Sequence, residues 1–148
     1  MPTSDDISPS LLFTLAFAAA LLLGLALKFW LATRQVRHVA RHRAAVPVPF
    51  AERIALAAHQ KAADYTITKA RLGMLEMALG AAVLLGWTLL GGLDALNQAL
   101  LGVLGGGMWQ QMAFLVAFAA ISGLIDLPLS LYQTFVVEER FGFNKMTW

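Results

Sequence analysis

His38 and His42 stand four residues apart, a spacing that puts both rings on one face of a helix. Two histidines so spaced are half of the zinc motif H-E-x-x-H, in which the glutamate serves as general base. Here the run reads His38-Val39-Ala40-Arg41-His42, with Val39 where that glutamate belongs. Arg37, Arg41 and Arg43 surround the pair and repel a cation. The residue that carries the chemistry is missing, so the segment reads as a basic helix lying near anionic lipid headgroups, with Arg34, Arg37, Arg41 and Arg43 as the contacts. The sequence has no cysteine, which removes disulfides, thiolate zinc sites and cysteine nucleophiles. It has no H-E-x-x-H anywhere. No catalytic residue and no metal ligand is assigned in this chain.

Two carboxylates stand inside apolar runs. Glu76 is the only charge between Leu72 and Leu93, and Asp126 lies with Pro128 between Met108 and Tyr132. A charge within a membrane span is expensive and points first to function. Both carboxylates sit towards the ends of their runs that Arg71, Lys69 or Lys28 can reach. Structural pairing with one of these cations is the expected role, and lining of a polar cavity is the alternative. Two carboxylates alone make no hydrolytic site, and nothing in the sequence sets up an aspartic dyad.

The elements that position these side chains are three long apolar blocks. Of the 148 residues 59% are apolar and 14% charged, against about 25% charged in a soluble domain. The blocks run from Leu11 to Ala32, from Leu72 to Leu93 and from about Met108 to Tyr132. Each is long enough for a hydrocarbon core of about 30 Å, which takes roughly 20 residues of helix. None alternates with the period of a barrel strand, and backbone in lipid must satisfy its own hydrogen bonds, so all three are helices. The first is too long for a signal peptide, and the residues before it carry Asp5 and Asp6 but no Lys or Arg.

Charge placement then gives an orientation. Nine of the eleven Lys and Arg residues fall between Lys28 and Arg71, and none falls between Asp94 and Gly107. The positive-inside rule puts the first connection and the C-terminal tail in the cytoplasm, and the N-terminus outside. Thr33 to Ala45 has no helix breaker before Pro47 and Pro49, so the first helix is expected to continue into the cytoplasm. Phe50 to Arg71 reads as helix again, with an apolar stripe at Ile54, Ala58, Ala62 and Tyr65. Outside, Leu93, Leu96, Leu100 and Leu104 form a short stripe opposite Asp94, Asn97 and Gln98, suited to the membrane interface. Gly105-Gly106-Gly107 breaks that helix. Gly102 and Gly106 match the dimerisation spacing G-x-x-x-G but lie outside the spans, so they read as loop. The juxtamembrane position of the basic stretch makes lipid, not nucleic acid, its partner.

The fold class is therefore an all-α integral membrane protein, with three transmembrane helices and a helical cytoplasmic hairpin between the first two. Residues 1–148 form one membrane module: spans at about 10–32, 72–93 and 108–132, a connection at 33–71 and a tail at 133–148. The Ala/Leu-rich style and the lack of a glycosylation sequon fit a bacterial inner membrane, with the endoplasmic reticulum membrane as the alternative.

After the third block comes Tyr132-Gln133-Thr134-Phe135-Val136-Val137-Glu138-Glu139-Arg140-Phe141-Gly142-Phe143-Asn144-Lys145-Met146-Thr147. This segment resembles the one that follows the third span in CAAX prenyl proteases of the Ste24 type, membrane zinc metalloproteases of peptidase family M48. His59 to Tyr65, continuing to Lys69-Ala70-Arg71, looks like the run entering that family's second helix. Asp126 to Tyr132 looks like the end of its third. The resemblance implies about seven membrane helices around a water-filled chamber, with zinc held by an H-E-x-x-H helix and a distal glutamate. Those ligands lie downstream in the family and none carries over, so zinc is expected only in the complete enzyme. Glu139, Arg140 and Asn144 join Glu76 and Asp126 as candidate structural or chamber-lining residues. The expected function is the N-terminal transmembrane module of such a metalloendopeptidase, part of the chamber wall, with a catalytic half or a second copy as partner. A non-catalytic membrane scaffold or adaptor is the alternative, and a small oligomeric transporter or channel subunit comes third.

Overall fold

In the computed structural model residues 8–142 are described; Asn144 and the ends of both tails lie outside the described residues. The first helix, α1, spans Pro9–His42. Ser8 caps it by accepting from the Leu11 N–H, and Pro9 sits at the first helical position, where a missing N–H costs nothing. The helix continues well beyond the apolar block, as the absence of breakers predicts. The chain then turns through Pro47 and a single 3-10 turn at Val48–Phe50. The second helix, α2, spans Leu56–Thr88 without a break. It begins six residues later than Phe50, and Ile54 falls in the turn before it. The turn carries its own hydrogen bonds, with the Arg53 and Ile54 N–H groups both donating to the Phe50 carbonyl.

α2 ends at Thr88, although the apolar run continues to Leu93. The stop is set by two glycines. Gly91 has φ of 79°, the left-handed region. A Cβ on Gly92 would lie 2.7 Å from the Gly86 carbonyl oxygen and 2.9 Å from the Trp87 ring, so only glycine lets the backbone fold back that tightly. The third helix, α3, then covers Gly92–Leu104. Gly105 and Gly107, both with positive φ, break it. Gly102 lies within α3 and Gly106 beyond its end, so the two do not share a helical face.

The fourth helix, α4, runs Met108–Tyr132 with Pro128 inside it. Pro128 does not end the helix. The chain continues through a six-residue π-helical stretch, Gln133–Glu138, into a last α turn, α5, Glu139–Phe141. Gly142, with φ of 73°, closes it. Three stretches, within Pro9–His42, Leu56–Thr88 and Met108–Phe141, are long and apolar enough to cross a membrane. The all-helical, three-span expectation is met.

α1 packs antiparallel along α2, α3 packs on α4, and α4 leans more lightly on α2. Few apolar side chains are buried between them: Ala63, Leu72, Val137 and Phe141. Large ones such as Phe13, Leu23, Val116 and Leu124 are about two-thirds or more exposed along the spans. In water such a surface aggregates; in a bilayer it is the lipid face.

Candidate functional site

The two intramembrane carboxylates come together. Glu76 on α2 and Asp126 on α4 border one cleft of about 350 Å³, shared with Gly80, Leu129 and Ser130. Ser130 lies one turn from Asp126 on the same helix face. The expected pairing of these acids with Lys28, Lys69 or Arg71 does not form. Among the described residues the ion pair within 4 Å is Arg43–Asp64 instead. The reasons are geometric. Lys28 lines a different cleft, between α1 and α2. Lys69 Nζ donates to the Tyr65 hydroxyl at 3.4 Å and lies over its ring. Glu76 and Asp126 are both exposed.

A second cluster lies where α1, α2 and α5 meet. Arg43 Nε and Nη2 donate to Asp64 Oδ1 and Oδ2, each at 2.7 Å, a bidentate pair. These hydrogen bonds hold the Asp64 carboxyl below its ordinary range; partial desolvation opposes them, and the charges of Arg43 and then Arg140 help. The same bonds raise Arg43. Arg43 was expected among the lipid contacts, but its guanidinium is engaged within the hairpin. It sits just past the end of α1, where the chain turns towards α2. Arg34, Arg37 and Arg41 remain exposed, with Arg34 stacked 4.9 Å above the Trp30 ring.

Beside this pair, Leu72, Val137 and Phe141 form a small core, with Tyr65 and Leu129 against it. Tyr65 and Phe141 meet edge-on at 5.3 Å, a favourable aromatic geometry. The π-helical stretch turns Val137 and Phe141 onto α2. Glu139 and Arg140 lie in this last turn, and Arg140 is near enough to Asp64 to act on its charge. Two of the three stretches that carry the family resemblance, 59–71 and the described part of 132–147, therefore pack against each other.

The histidines converge without fitting a metal. His38, His42 and His59 line one cleft. His42 Nδ1 lies 2.8 Å from the His38 carbonyl and His59 Nε2 3.0 Å from the His42 carbonyl, so both ring atoms are engaged by backbone. Among the described residues no group of three metal-ligating side chains is placed to hold an ion.

Sequence reasoning did not single out Asn97 and Gln110. Asn97, placed on the polar side of α3, faces α4 and accepts a 2.8 Å hydrogen bond from the buried Gln110 amide. Its spacing from Leu93 and Leu100 was the available signal, since i±3 and i±4 positions share a face.

The fold and these clusters define a membrane-embedded helical module, built on an antiparallel hairpin clasped by the end of a third span. The model described as CAAX prenyl protease N-terminal, five membrane helices, matches residues 35–148, and the chain belongs to that family. CAAX prenyl protease 1 of Saccharomyces cerevisiae is 55% identical over 38 residues, 26% of this chain and 8% of that protein. The CAAX prenyl protease 1 homolog of Arabidopsis thaliana is 43% identical over 56 residues, 38% of this chain and 11% of that protein. The crystal structure of S. mikatae Ste24p superposes with a TM-score of 0.80 at 24% identity, over 97% of this chain and 34% of that one. The likeness to that structure is one of fold. The chain corresponds to the N-terminal membrane domain of the family and to a minor part of its relatives' length.

Proposed function

We infer that this chain forms part of the chamber wall of a CAAX prenyl protease-like zinc metalloendopeptidase, and that another segment supplies the zinc site. The observation that carries the reading is the open cleft of Glu76, Asp126 and Ser130 in a family-matched module. Carboxylates left unpaired in membrane spans belong on a wetted wall or a protein interface, since lipid solvates them poorly. The basic connection puts the hairpin and α5 on the cytoplasmic side, and the Ala/Leu-rich composition fits a bacterial inner membrane. Exposed Arg34, Arg37 and Arg41 contact anionic headgroups. The test is to purify the chain alone and together with a downstream fragment of a Ste24-type relative carrying H-E-x-x-H. Zinc content and cleavage of a prenylated peptide are then measured. The chain alone is expected to show neither, and the pair both. Zinc-dependent cleavage by the chain alone, or a fragment that fails to co-purify with it, overturns the reading.

A further inference from the structure

Gly80 also borders a second cleft, of about 340 Å³, between α1 and α2. Small residues make the room: Ala20 and Gly24 on α1, Gly80 and Ala81 on α2. Its walls are otherwise aliphatic, apart from Lys28 at one end. The helices are antiparallel, so Lys28 lies opposite Met77, at the end nearer the hairpin. From Ala20 to Lys28 the groove runs about 12 Å along the helix axis, at about 1.5 Å per residue. A single alkyl chain fits.

Lys28 supplies the other half of the argument. It lies four residues inside Ala32, the end of the first apolar block, so its Cα is about 6 Å below that edge. The side chain is exposed, and among the described residues no carboxylate lies within ion-pair distance of it. An ammonium at that depth is costly unless it reaches an anion at the interface. A ligand with an anionic head at the interface and an apolar tail below meets both demands. Exposed Arg34 and Arg37 on the same helix concentrate anionic lipid around it. We propose that this cleft binds one anionic phospholipid of the surrounding bilayer, with an acyl chain along Gly24 and Gly80 and the phosphodiester on Lys28.

Native mass spectrometry of the full chain, delipidated in detergent, tests this. Phosphatidylglycerol and phosphatidylcholine with identical acyl chains are added in turn. One phosphatidylglycerol is expected per chain, bound about fivefold more tightly than phosphatidylcholine, as for one added cation–headgroup contact. Lys28→Gln levels the two lipids. Gly24→Leu, whose side chain enters open space, weakens both, and Ala81→Leu fills the same groove from α2 should the first variant lose helicity. Headgroup preference that survives Lys28→Gln, or lipid retention unchanged in both groove-filling variants, overturns the proposal. So does a wild-type chain that retains no lipid or occupies the groove by dimerising.

Discussion

Asp64 accepts two hydrogen bonds from one guanidinium and feels the charge of a second. Its carboxyl is held below the ordinary range, so its contribution to stability is complete above the unfolded value near about 3.9 and is lost as pH falls through the lowered folded value. Thermal melts in micelles, followed by circular dichroism, should show the wild-type midpoint dropping across that acidic window. Asp64→Asn should start lower at neutral pH and show no drop of this origin. Phe141 is the other side chain with a large expected effect. It is 7% exposed against Leu72, Val137 and Tyr65, and Phe141→Ala should cost about 3 kcal/mol, read from unfolding in mixed micelles. Neither role is legible in composition or hydropathy. Arg43 and Asp64 are 21 residues apart, and nothing local links them. Only the family-like stretches pointed at this part of the chain, and they could not say that the two would meet.

At the level of elements, hydropathy located every span, because a run of about 20 apolar residues leaves lipid as its surroundings. It misplaced the end of the second. Leu89, Leu90 and Leu93 continue the apolar run, while the stop depends on the left-handed Gly91 and the crowded Gly92. Average hydrophobicity carries no such information. The same limit hid the docking of α3, whose stripe packs towards α4 with Asn97 inside it. Asn97→Leu strands the amide of Gln110, which is 6% exposed, and should destabilise by about 1–3 kcal/mol. Replacing both Asn97 and Gln110 by leucine should recover much of that loss, because no buried donor then lacks an acceptor. A double-mutant cycle on unfolding free energies measures the difference.

Across the whole molecule, three spans leave Glu76 and Asp126 facing outward from a thin assembly with little core. In lipid each uncovered charge costs a few kcal/mol. The isolated chain should therefore self-associate or capture a membrane partner. Light scattering of the chain in detergent should show oligomers that Glu76→Gln with Asp126→Asn reduces, and a stable, monodisperse wild-type monomer would contradict this. The π-helical stretch at Gln133–Glu138 has a genetic consequence. A π segment is an α-helix holding an extra residue. Losing one of its uncharged codons would leave net charge and every other residue unchanged and return the stretch to α geometry. Because the residue removed is the extra one, Phe141 would keep its face towards Tyr65 and Leu72, whereas a return to α geometry with all six residues kept would turn it by about 100°, one α-helical step. Reading frames of this family should thus tolerate a single-residue deletion between Gln133 and Glu138 far better than an insertion or a two-residue deletion there, either of which rotates Phe141 off α2.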